Sequence, residues 1–223
     1  MDNKVIDFFM FGCLGLTSKD AESMEKSIII EKCFNRAYLD MNRTIKFKKE
    51  VKEVNSSKQK FKKELLKTVQ DFYDSDLNNF EHEKYCKKIC ESAEKYTEEF
   101  YYGQAQKILN MTLKYMLLIG DEKINKIKAK LHVPVDSYIM EAASDYGISI
   151  LNKSRKESKF NSNSLPWSKW DYGIYDSFQK SIIDKIKGTE YHTRIDWELE
   201  AWIKIAKKRK EQEEQKKNNQ NNT

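Results

Sequence analysis

Two prolines in 223 residues leave this chain with very little to stop a helix. Proline fixes φ and lacks an N–H, so its scarcity removes the strongest helix breaker. Glycine is also sparse, at seven, while 34% of the residues are charged. That balance predicts a helix-rich protein with few tight turns. A hydrophobic content of 39%, with twelve tyrosines and eleven phenylalanines, is enough for one sizeable core. The expected fold class is all-α: one helical domain over residues 1–206, as a single lobe or two lobes around a cleft, then a disordered charged tail over 207–223.

Apolar spacing and cap residues place the helices. Thr17 or Ser18 caps a helix over about Lys19 to Lys49, whose stripe is Ile29, Ile30, Cys33, Ala37 and Met41. Glu50 to Lys60 reads as a break, and further helices follow over Phe61 to Tyr73 and Asn79 to Phe100. Gln104 to Ile119 is the most apolar helix, closed by Gly120, with Lys107, Asn110 and Lys114 sharing its polar stripe. Ile148 to Lys153 is expected to continue helically and Ser154 to Ser164 to be a polar loop. Two more helices are expected, Tyr172 to Lys187 and one capped by Asp196 that carries Trp197, Leu199, Trp202 and Ile205. No stretch alternates convincingly as a strand, and no internal repeat is present.

Formal charge is +6, and the tail from Lys207 supplies half of it, with six basic against three acidic residues. Such a surface tolerates an anionic partner without demanding one. Val5 to Leu16 is apolar, but Met1-Asp2-Asn3-Lys4 is not a basic n-region and twelve residues are too few to span a bilayer. That stretch is expected to be a buried N-terminal element of a cytoplasmic protein with no membrane partner. Cys13, Cys33, Cys86 and Cys90 are then reduced thiols. His82, Cys86 and Cys90 recur every four residues, but the ends of that series lie roughly 12 Å apart along a helix. They read as a buried stripe, so neither a metal nor another cofactor is expected.

Chemistry concentrates at His132-Val133-Pro134-Val135-Asp136-Ser137-Tyr138-Ile139-Met140. Pro134 disfavours helix at Val133, so the chain should arrive extended. Asp136 then N-caps a helix from Ser137 to Asp145, stopped near Gly147. Upstream, Tyr102-Gly103-Gln104-Ala105-Gln106-Lys107-Ile108-Leu109-Asn110 puts a lysine early in the apolar helix.

Together these two segments resemble the core of the helix-hairpin-helix DNA glycosylases, over about residues 91–148. In that family a helix, a glycine-containing hairpin and a second helix precede a Val-Pro-Val-Asp-like segment opening another helix. The resemblance implies that Asp136 is the catalytic carboxylate and Lys107 the amine nucleophile of the members with lyase activity. It implies a DNA-repair hydrolase acting on DNA, with RNA as the alternative partner. The hairpin here has Gly103 as its one glycine, preceded by two tyrosines. Tyr101, Tyr102, Gly103 and Gln104 would meet the nucleic acid there, and Trp167, Lys169 and Trp170 would stack on or hold an extruded base. The competing expectation is a non-enzymatic helical interaction protein, such as a phage or bacterial defence or anti-defence factor, whose partner is a protein complex. A glycosylase-like fold that only binds DNA lies between the two.

Overall fold

The computed structural model describes residues 3–52 and 55–221. Its helices are α1 (Asn3–Leu14), α2 (Ser18–Ser23), α3 (Lys26–Met41), α4 (Lys49–Lys52), α5 (Asn55–Asp74) and α6 (His82–Glu94). Then come α7 (Tyr102–Leu118), α8 (Glu122–Lys126), α9 (Ser137–Asp145), α10 (Tyr172–Ile186) and α11 (Arg194–Asn221). Two antiparallel pairs join them: β1 (Lys46–Phe47) with β2 (Thr97–Glu99), and β3 (Ile150–Leu151) with β4 (Glu157–Ser158). The class is all-α.

Helix α7 is the axis of the molecule. Every residue from Tyr102 to Leu113 is buried, and α3, α6, α8, α10 and the turn at Trp167–Lys169 all pack against it. One continuous apolar cluster runs from Leu16 through Ile205. An apolar helix of this kind is stable only when neighbours cover its whole circumference.

The capping residues act largely where the sequence puts them. Thr17 and Asp20 form a capping box at α2, and Asp136 caps α9, which ends before Gly147 at φ +80°. At α11 the N-cap is Thr193, whose hydroxyl accepts from Asp196 N–H, so Asp196 sits one turn inside rather than at the cap.

Several expectations are corrected. The helix expected over Lys19 to Lys49 is divided at Met24–Glu25 and stops at Met41, because β1 follows. The Asn79 to Phe100 helix ends at Glu94, giving way to β2. Part of the Glu50 to Lys60 break is helical, with residues 53–54 outside the described residues. Ile148 to Lys153 is not helical: Ile150–Leu151 within it form β3, which pairs with β4. The expected buried N-terminal element is exposed, with Phe8 75%, Phe9 61% and Phe11 61% open to solvent. The chain past Lys207 is helical to Asn221 rather than disordered, since Lys208 and Arg209 pair with Glu141 of α9 at 3.0 and 2.8 Å. Among the described residues no helix is long and apolar enough to cross a membrane.

Candidate active site

Lys107 and Asp136 come from different elements and meet. Lys107 projects from the second turn of α7, and its Nζ lies 2.8 Å from Asp136 Oδ2 at the start of α9. The two carboxylate oxygens have separate tasks. Oδ1 accepts the N–H groups of Tyr138 and Ile139 at 2.9 and 3.0 Å, which satisfies the helix end. Oδ2 is left for the lysine. Burial pushes the Asp136 carboxyl up, but the Lys107 charge and hydrogen bond, with the two N–H bonds, outweigh it and hold the group below its ordinary 3.8.

Both residues line a cleft of about 390 Å³ between α3, α7, α9, the Trp167 turn and α11. That volume is in the usual range for small-ligand sites, roughly 300–1,000 Å³. A second ion pair shares the cleft: Lys114, two turns along α7, lies 2.7 Å from Glu198 Oε1 on α11. Glu198 is 1% exposed, and its other oxygen, Oε2, has no hydrogen-bond partner among the described residues. Burial raises its carboxyl above the ordinary 4.5 despite Lys114. A buried acceptor without a donor is costly, on the order of 1–3 kcal/mol.

Aromatic rings form the walls. Tyr138 and Trp202 stack with centroids 5.1 Å apart, Arg209 sits 4.1 Å over Tyr138, and Trp202 remains 38% exposed. Trp167 also lines the cleft, as do Arg36 of α3 and Arg43 in the single turn that follows it. A larger groove of about 800 Å³ separates α1 and α2 from α8, but its buried carboxylate, Asp121, is already taken by Lys26, Tyr73 and Ile124 N–H.

The glycine hairpin differs from the expectation. Chain leaves α6, forms β2 and enters α7 at Tyr102, so no two-helix hairpin closes at Gly103. Nor are its N–H groups open for a phosphate: Gly103 donates to Trp170 O at 2.9 Å, and Tyr101 donates to Gln104 Oε1 at 2.9 Å. Gln104 is buried and bonds Thr44 O; Tyr102 is buried and meets His82. Glycine is required at 103 because Trp167 O would lie 1.9 Å from any Cβ. Trp170 is 1% exposed and packs on Phe178, so it cannot stack on a base. Lys169 is exposed, 6.0 Å from the Tyr101 ring.

Of the residues singled out in the sequence, Lys107, Asp136 and Trp167 line this cleft; Glu198, Lys114, Tyr138, Trp202 and Arg36 line it too and were missed. A signal for Glu198 was present. It lies on the same helical face as Trp202 and Ile205, a carboxylate on an apolar stripe. Comparison with protein-family models, curated proteins and solved structures finds no match to this chain.

Proposed function

We propose that this protein binds DNA and excises a damaged base, using Lys107 as nucleophile and Asp136 as its proton acceptor. The observation that carries this reading is the 2.8 Å Lys107–Asp136 contact in an aromatic-walled cleft, with the carboxylate fixed by a helix N-terminus. When an extruded nucleotide displaces water from the cleft, Lys107 passes a proton to Asp136 Oδ2. The free amine attacks the sugar C1′, and the C1′–N bond breaks with its electron pair leaving on the base. Asp136 returns the proton to that base. The nitrogen then loses a proton to solvent, the ring oxygen takes one up and leaves, and an iminium joins Nζ to C1′. Strand cleavage follows from that Schiff base.

Glu198 and Lys114 supply base recognition in this reading. An acceptor oxygen beside an ammonium fits an N–H next to a carbonyl, the lactam edge. Deamination and oxidation both create such an edge where the parent base has none: N1–H/C6=O in hypoxanthine from adenine, N3–H/C4=O in uracil from cytosine, N7–H/C8=O in 8-oxoguanine from guanine. Normal guanine and thymine carry the first two, so the edge separates a lesion from its own parent. Trp202 provides a face for stacking.

Duplexes carrying hypoxanthine, uracil, 8-oxoguanine or 3-methyladenine test this. We expect release of at least one lactam base, none of 3-methyladenine, loss of release in Asp136→Asn, and altered preference in Glu198→Gln. A protein that binds all four duplexes and releases nothing would end the enzymatic reading. One observation favours the interaction-protein alternative: the exposed Phe8, Phe9 and Phe11 on α1 suit a protein partner. If α1 serves that role, Phe8→Ser with Phe11→Ser abolishes partner capture and leaves base release unchanged.

A further inference from the structure

Val133 and Val135 flank Pro134 in an extended segment that belongs to no sheet. Buried backbone groups in such a segment need partners from elsewhere. They find them in carboxamide side chains from two helices. Val133 N–H donates to Gln179 Oε1 at 3.1 Å, and Val133 O accepts from Gln179 Nε2 at 2.7 Å. Val135 N–H donates to Gln106 Oε1 at 3.2 Å, and Val135 O accepts from Gln106 Nε2 at 3.2 Å. A carboxamide carries both a donor and an acceptor, so each glutamine closes both bonds of one residue as a neighbouring strand would. Asn110 braces the pair, donating to Gln106 Oε1 at 3.0 Å and Val133 O at 3.3 Å. All three amides are buried, Gln106 completely.

The two glutamines are alike in packing and unlike in what they connect. Gln106 immediately precedes Lys107, and the residue it holds immediately precedes Asp136. Gln179 holds the same segment to α10, which carries neither member of the pair. We propose that Gln106 is a positioning residue that sets the separation of the Lys107 amine and the Asp136 carboxylate. The proposal rests on the base-excision reading for its catalytic meaning. Its geometric content stands apart from it: the start of α9 cannot drift from α7 without breaking the Gln106–Val135 bonds.

Gln106→Met and Gln179→Met test it together, since each keeps side-chain volume. The first strands both backbone groups of Val135, the second the N–H of Val133, whose carbonyl keeps Asn110. Both are expected to lower the unfolding midpoint. They should differ in the titration of the Asp136 carboxyl, followed by carbon NMR without substrate. In Gln106→Met the lysine contact opens while burial and the two N–H bonds remain, so the carboxyl titrates higher than in the wild type. In Gln179→Met it stays where it is in the wild type. On a cleavable duplex, Gln106→Met should slow single-turnover base release on the order of 10–100-fold, as a misplacement of about 1 Å can. Affinity for an uncleavable duplex should hold. Gln106→Asn, one methylene shorter, is the milder variant should Gln106→Met not fold, with a smaller shift in the same direction. Equal titration shifts in the Gln106 and Gln179 variants, or none in either, would overturn the proposal. A selective shift with no base release by the wild type would leave positioning intact and remove the enzymatic reading.

Discussion

At the residue scale the site is a set of charges held out of water. Lys107 has 5% of its side-chain surface exposed and Asp136 19%, so removing either partner strands the other. Asn at 136 still caps α9, yet it leaves the ammonium without its counter-charge. We expect Asp136→Asn and Lys107→Gln each to cost about 1–3 kcal/mol in urea unfolding. The double variant should cost less than their total, because the stranded charge is removed with its partner. A second residue-scale consequence concerns His82, stacked 4.2 Å from His132 and bonded to Asn110 Oδ1 at 2.7 Å. Burial lowers its pKa from 6.5 to about 4, so the unfolded chain binds the proton more readily than the folded one. Its stabilising contribution is therefore complete above 6.5 and is lost as pH falls from 6.5 toward about 4. His132 is shifted in the same direction by burial and by His82. Unfolding midpoints should fall across that window, by up to about 1.4 kcal/mol per pH unit for each proton. Replacing His82 by Gln should flatten the dependence.

At the element scale, two junctions hold the cleft together. The Trp167 turn packs so closely on α7 that Gly103→Ala must move backbone, the intruding atom being a carbonyl oxygen 1.9 Å away. We expect a loss of about 2–3 kcal/mol, read as a lower melting midpoint, well beyond the usual surface substitution. The other junction joins α11 to α9: Arg209 bonds Glu141 at 2.8 Å and Ser137 O at 3.1 Å, next to the Lys107–Asp136 pair. Truncation after Lys210 should leave amide exchange in α9 unchanged, whereas truncation after Ala206 should raise it at Ser137 and Tyr138. Legibility at this scale follows from local chemistry. Helix α9 was visible because Asp136 and Gly147 mark both of its ends. The strands were invisible because two or three residues carry no periodicity; β1 and β2 exist through pairing across fifty residues. Lys107 and Asn110 looked like a solvated stripe on α7. Their burial comes from the 133–136 segment and α10 lying over that stripe, which no local pattern records.

For the whole molecule, the charge balance and the cleft lead to one functional expectation. If DNA binds through lysine and arginine contacts with phosphate, affinity should fall linearly on a log–log salt plot, by about 0.9 per contact. Arg36→Ala with Arg43→Ala should make that slope shallower if these cleft residues meet the backbone. The candidate pair was legible because the Val-Pro-Val-Asp segment and the lysine have distinctive local sequences. The place of Glu198 and Trp202 in the cleft was not, although a carboxylate on the apolar stripe marked Glu198, since α11 joins the cleft through long-range packing on α9 and α10. Exposure of α1 was equally hidden, because apolar composition shows that a segment needs a partner but not that the partner is in the same chain. The most direct measurement is borohydride trapping on the responsive duplex, with the cross-linked peptide read by mass spectrometry. The expected product is a reduced secondary amine between the sugar C1′ and Lys107 Nζ, absent from Lys107→Gln. A cross-link mapped to a different lysine, or base release without any cross-link at wild-type Lys107, would contradict its role as the nucleophile.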